Sequence, residues 1–243
     1  MSQTVLIALI AFLIGLSKGG LGGPVLGALI APLLSTVMPI PQAVGITLPM
    51  LLIGDVIALR AYWQKWSIPH LKLLLPAAIA TTFIGLLMLR DLPDDVLRRL
   101  LGLFCLLVVI YKIGSDSLRK LAYTHRDWHA YVAGGIAGLG SAVANVGAPA
   151  FTAYMLLQKV TPQVFMGTVT VFFFILNVLK LPLFISIGAL KPAEFWAVAW
   201  VMLIVPVGVI IGHWAVKHIS PRLFEWSMLA LLVYISFALL VQG

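Results

Sequence analysis

Charge is what this sequence has least of. Asp, Glu, Lys and Arg make up 10% of its 243 residues, against about 25% in an ordinary soluble domain. Acid is scarcer than base, with 8 Asp and Glu to 16 Lys and Arg. Charge spread this thinly cannot cover a water-facing surface, which excludes a soluble globular enzyme. The 62% hydrophobic content excludes a disordered chain. Cysteine is almost missing. Cys105 stands alone, so neither an intramolecular disulfide nor a cysteine-based metal site can form. A long basic stripe with interleaved aromatics is missing too. Lys and Arg come singly or in pairs at the ends of apolar runs, so the net charge of +8 points to membrane-flanking loops and away from nucleic acid.

What is there is apolar sequence in long runs. They cover residues 4–14, 25–38, 43–61, 71–89, 96–113, 128–144, 148–157, 164–187, 193–215 and 223–241. A span needs about 20 apolar residues, so the shorter runs fall below one span each and the chain has room for about eight hydrophobic segments. The expected class is an all-α polytopic membrane protein. The run at 4–14 has no basic residue before it and a lysine with glycines after it, so it reads as a segment of the fold and not as a cleaved signal. The connections are short and none can hold a domain. Trp63, Trp66, Trp128, Trp196, Trp200, Trp214 and Trp226 mostly fall near run ends, where indole rings sit at headgroup level.

The chain repeats itself at about half its length. Gly15, Gly22 and Pro24 recur as Gly140, Gly147 and Pro149; Pro41-Gln42 recurs as Pro162-Gln163; Gly45 recurs as Gly167. Asp55 falls opposite Asn177, Pro69 opposite Pro192, Gly85 opposite Gly208 and Pro93 opposite Pro221. The spacing predicts two homologous halves, 1–120 and 121–243, a common build of secondary transporters. Each half opens with a glycine-broken segment. If those segments cross fully, Lys and Arg divide almost evenly between the two sides. If they re-enter, the halves are inverted and the basic residues gather on one side, which the positive-inside rule prefers.

The breaks are Gly15–Pro24 and Gly138–Pro149. Glycine and proline at this density unwind a helix, and backbone freed inside a bilayer survives only within protein or along a wet cavity. Pro24 and Pro149 suit the first turn of a restarting helix, whose amides and dipole favour an anion. Gly19, Gly20, Gly22 and Gly23 are therefore expected to face Asn145 and Gly147 across a midplane pocket, their amides holding an anion. Close helix packing is the alternative role for these small residues. Lys18 lies in the first break with no acid nearby in sequence. It either snorkels to a surface or contacts an anion or Asp55. The second half has Asn145 in the matching stretch, so this positive charge is expected from one side only.

Asp55 is the one acid before residue 91 and sits in the middle of an apolar run. It is a candidate proton carrier or a structural ion pair. Asn177 and Lys180, three residues apart, share a helix face and form a second polar patch. Ser17, Thr47, Ser141, Thr168 and Thr170 add hydroxyls that bind an anion or cap a broken helix; Thr47 and Thr168 join the proposed binding set. His70, His125, His129, His213 and His218 form no ligand pair with an acid, so neither metal nor cofactor is expected.

These features resemble the sulfite exporter TauE/SafE family. The likeness rests on the turn Gly19-Gly-Leu-Gly-Gly23, followed by Pro41-Gln-Ala-Val-Gly-Ile-Thr47, and on the second copy, 138–149 followed by Thr161-Pro-Gln-Val-Phe-Met-Gly-Thr168. The family pattern has a Gly-x-Gly-Gly-Gly turn, from which Asn145-Val-Gly-Ala148 departs. The resemblance implies secondary transport of small anions, export being the expected direction, with sulfite, thiosulfate and organosulfonates as the substrate class and a proton or ion gradient as the drive. The implied setting is the bacterial plasma membrane, with a small anion and lipid as partners. An anion channel and a non-transport membrane enzyme or assembly factor are the alternatives; no clustered catalytic set or ring of charge favours either. The chain should sediment with membranes and need detergent for release. Recovery in the soluble fraction at high ionic strength would contradict this.

Overall fold

The apolar runs fold into helices, and proline marks where most of them begin. The computed structural model describes residues 3–21, 23–118, 126–158, 160–191, 193, 196, 199–215 and 221–242. Among these residues the regular structure is helical throughout. The elements are α1 (Gln3–Lys18), α2 (Gly23–Ser35), α3 (Ile40–Ala61), α4 (Ile68–Asp91), α5 (Asp94–Leu118), α6 (Asp127–Ala144), α7 (Ala148–Leu157) and α8 (Pro162–Ser186). A 3-10 turn (Ala199–Leu203), α9 (Ile204–Ala215) and α10 (Pro221–Gln242) follow. Proline occupies the first or second position of α3, α4, α7 and α8, where its missing N–H costs nothing.

Among the described residues, α3, α4 and α8 are each long and apolar enough to cross a membrane. At 1.5 Å per residue α7 spans about 15 Å, roughly half a hydrocarbon core. The surface suits lipid. Leu103, Leu107 and Ile110 of α5, Ile210 of α9 and Tyr234 and Phe237 of α10 are exposed, while Asp55 and Lys180 are fully buried. Apolar residues outside and charge inside is the distribution that a bilayer solvent selects. The protein is an all-α, multi-span membrane protein.

Four helix pairs organise the packing: α4 on α6, α1 on α9, α5 on α10 and α3 on α8. The first two pairs close over glycine. A Cβ on Gly134 or Gly138 of α6 would strike the backbone carbonyls of Leu74 and Ala78 in α4, and one on Gly15 of α1 would strike the Val205 carbonyl in α9. Between spans, α5 satisfies the ends of two other helices. Asp94 accepts from the Ile40 amide at 2.9 Å, opening α3, and Arg98 donates to the Ser35 carbonyl at 2.7 Å, closing α2.

Gly138→Val should force α4 and α6 apart and cost about 1–3 kcal/mol, the range for overpacking a tight contact. Gly135→Ala is the control, because its Cβ would find Thr81 Cγ2 at an ordinary 3.5 Å. Thermal unfolding in detergent should show a lower midpoint for the first variant and little change for the second.

Candidate functional site

Both glycine-rich segments break their helices in the same way. Gly20 has a φ of 105° and Asn145 a φ of 55°, the left-handed conformation that ends a helix. Gly meets it for lack of a Cβ, and Asn is the side chain that best tolerates it. The amides then fold back. Gly19 donates to the Gly15 carbonyl at 2.8 Å, Gly20 to Ser17 at 3.1 Å and Leu21 to Leu16 at 3.0 Å. In the second break Asn145 donates to Ser141 at 3.1 Å and Val146 to Gly140 at 2.9 Å. The expectation that these amides hold an anion therefore changes for Gly19, Gly20 and Asn145. A helix that ends inside the protein leaves its last carbonyls without helical partners, and here the amides that follow satisfy those of α1 and α6. Gly23 opens α2, and Gly147 caps α7 where a Cβ would strike the Ala137 carbonyl. Gly22 lies outside the described residues, as do Pro192, His125 and His218.

The breaks deliver charge to the middle of the fold. Lys18, the last residue of α1, pairs with Asp55 Oδ1, and its stem passes over Gly54, where a Cβ would come within 2.9 Å of Lys18 Cγ. The other carboxylate oxygen, Oδ2, accepts from Asn177 Nδ2 at 2.7 Å. Asp55 is fully buried, and Lys18 keeps 21% side-chain exposure. The residue pair that the repeat placed opposite each other, Asp55 and Asn177, is thus in direct contact where α3 crosses α8.

Lys180 turns the other way from Asn177. Its Nζ donates to the Ser141 carbonyl at 2.9 Å, the Ser141 hydroxyl at 3.0 Å and Asn145 Oδ1 at 2.7 Å. A cation at the carbonyl end of α6 complements the helix dipole. This corrects the expectation of positive charge from one side only: the second half places its lysine on α8 and brings it to the end of α6 through the fold. Asn145 Nδ2 donates in turn to Thr47 Oγ1 at 2.9 Å and the Val44 carbonyl at 3.3 Å, so its amide is fixed at both ends.

A cavity of about 130 Å³ adjoins this cluster. On this measure a water needs about 10–15 Å³, so the space holds several waters or one small oxyanion. Its polar lining is Ser17, Lys18, Ser141, Asn145, Thr152, Thr170 and Asn177; Phe165, Phe173 and Leu51 contribute apolar wall. Asp55 and Lys180 stand one side chain behind the wall, through Lys18 and Asn177 on one side and Ser141 and Asn145 on the other. Ala148, the first residue of α7, also lines the space. Thr47 acts through Asn145. Thr168 serves elsewhere, accepting from the Ser67 amide at 2.9 Å at the start of α4. Thr152 was missed by sequence reasoning; its signal is a hydroxyl four residues after Ala148, on the same face of α7.

Removing one partner of a buried ion pair leaves a stranded charge and costs about 3–5 kcal/mol. Asp55→Leu should approach the lower end, since Lys18 is partly exposed. The double variant Lys18→Met/Asp55→Leu should recover about half of that loss, as a non-additive pair does. Thermal unfolding of the two single variants and the double variant in detergent checks it; additive losses would refute the coupling.

A family model described as Sulfite exporter TauE/SafE matches residues 7–239. No curated protein and no solved structure matches the chain. The match covers nearly the whole sequence, so the chain belongs to the sulfite exporter TauE/SafE family. It is a secondary transporter of small anions and not an enzyme.

Proposed function

We propose that this TauE/SafE family member exports a small sulfur oxyanion, of the class of sulfite, thiosulfate or an organosulfonate, across the bacterial plasma membrane on a proton or ion gradient. The observation that carries the reading is a buried carboxylate, Asp55, held between a cation and an amide that line a polar cavity. A lone acid in this position can exchange a proton, or its partner, as the carrier changes the side to which it opens.

In this reading the anion occupies the cavity. Lys18 supplies attraction, and the incoming anion's charge takes the place of the Asp55 carboxylate beside its ammonium. Ser17, Ser141, Thr152 and Thr170 offer hydroxyls, Asn145 and Asn177 offer amides, and the start of α7 adds the positive end of its dipole. Gly19, Gly20 and Gly23 shape the first break, and Gly147 lets α7 begin close against the Ala137 carbonyl of α6; Gly22 belongs to the proposed binding set from the sequence alone. Thr47 holds Asn145. Asp55, Asn177 and Lys180 form the coupling group.

The reading includes two related halves, 1–120 and 121–243, about eight hydrophobic segments and breaks that re-enter the membrane. Three contacts support the halves. The pair α4 and α6 corresponds to α9 and α1, and both pairs close over glycine. A Cβ on Gly45 would strike the Ala189 carbonyl just beyond α8, and one on its counterpart Gly167 would strike the Lys65 carbonyl just beyond α3. Asp55 meets its own counterpart, Asn177.

Uptake into reconstituted vesicles tests the function over sulfite, thiosulfate, sulfoacetate, sulfate and chloride. The wild type should saturate and show counterflow with at least one sulfur anion. Lys18→Met should lower that flux by at least about tenfold, equivalent to about 1.4 kcal/mol. Asp55→Asn should leave a residual flux that no longer responds to an imposed pH gradient. Unsaturated, ohmic current would support a channel instead, and wild-type flux in Lys18→Met would make Lys18 a surface anchor.

A further inference from the structure

The fixed charges around the cavity do not cancel. Lys18 and Asp55 neutralise each other. Lys180 is fully buried, and its Nζ donates to three neutral oxygens, the Ser141 carbonyl, the Ser141 hydroxyl and Asn145 Oδ1, the donor count of an ammonium and so of a second positive charge. The Phe184 ring lies 5.8 Å from its Nζ and softens the burial without supplying a counter-ion. Among the described residues no carboxylate forms an ion pair with it. Two of its three hydrogen-bond acceptor groups belong to Ser141, and both Ser141 and Asn145 line the cavity.

We infer that the cavity is matched to an anion bearing one negative charge, with Lys180 as its counter-charge behind the wall, and that it discriminates against dianions of the same size and shape. The inference rests on the carrier reading and narrows its substrate class to the singly charged members, hydrogensulfite and monosulfonates, against the dianion thiosulfate. Two fixed cations and one fixed anion leave the buried set at a net charge of plus one. A monoanion brings it to zero. A dianion leaves an excess negative charge in surroundings that screen poorly, where uncompensated charge is most costly. Contact between Lys180 and the anion is not required. Its ammonium fixes Asn145 through Oδ1 and occupies a lone pair of the Ser141 hydroxyl, which leaves the hydroxyl hydrogen as that group's remaining donor. The positive charge therefore reaches the cavity through two oriented dipoles.

Methanesulfonate and sulfate test this directly, being close in shape and differing in charge. Isothermal titration of the full-length protein in detergent should show methanesulfonate binding at least about tenfold tighter than sulfate. Lys180→Met should remove that preference and weaken methanesulfonate binding at least about tenfold, while Lys180→Arg should retain the preference. Asp55→Asn raises the net fixed charge by one and should shift the preference toward sulfate. The wild-type comparison alone can overturn the inference, whatever the variants' folding. Sulfate binding as tightly as methanesulfonate refutes it, and so does binding of neither. In either case saturable vesicle flux of another anion would leave the carrier reading standing, and absence of any flux would remove that reading as well.

Discussion

The carboxylate of Asp55 joins three helices that hydropathy alone would leave indifferent to one another. Apolar helices in lipid gain little from touching, because the lipid is as apolar as they are. A buried carboxylate changes that. It needs partners, and it takes one oxygen's worth from Lys18 at the end of α1 and the other from Asn177 on α8. The lysine reaches it because α1 breaks there and because Gly54 leaves room for the stem. The break in α1 and the crossing of α3 with α8 are therefore parts of one electrostatic arrangement.

A second polar chain runs alongside it. Lys180 holds Asn145, Asn145 holds Thr47, and the same asparagine supplies the left-handed residue that ends α6. An amide can do all three because it has both donors and an acceptor, whereas glycine at the equivalent place in the first half can supply only the backbone conformation. The departure from glycine at Asn145 is thus compensated: what the turn loses in freedom it gains in hydrogen bonds.

The sequence carried the helices more fully than their ends. The run at 4–14 stops where apolar residues stop, yet α1 continues to Lys18, because Ser17 and Lys18 are acceptable at a helix C-terminus and the lysine is favoured there. Helices α2, α3, α4, α5, α8 and α10 begin two or three residues before their apolar runs, at or beside prolines that a hydropathy count reads as boundaries. The breaks were legible as glycine and proline density. The use of their amides was not, since a helix end is satisfied by local folding that composition does not record. Lys18 and Asp55 could be paired by scarcity, one cation and one acid in a long apolar stretch. The destination of Lys180 could not be, because spacing groups it with Asn177 on α8 while its acceptors are on α6. Thr168 looked like Thr47 and proved different for the same reason: its hydroxyl meets Ser67, a residue far away in sequence.

The glycine contacts between α4 and α6 and between α1 and α9 have a mechanical consequence. At each, a backbone carbonyl occupies the place where a Cβ would stand. A slide of α6 along α4 by one helical turn would bring Ala130 or Ala142 to one of the two carbonyls that now face Gly134 and Gly138, and a one-turn slide of α1 would bring Ala11 beside Val205. Neither pair has a neighbouring register into which to slip. Each is keyed like a shaft and collar, so a displacement imposed on one helix is transmitted whole to the other, and slippage is confined to the surfaces that lack such keys.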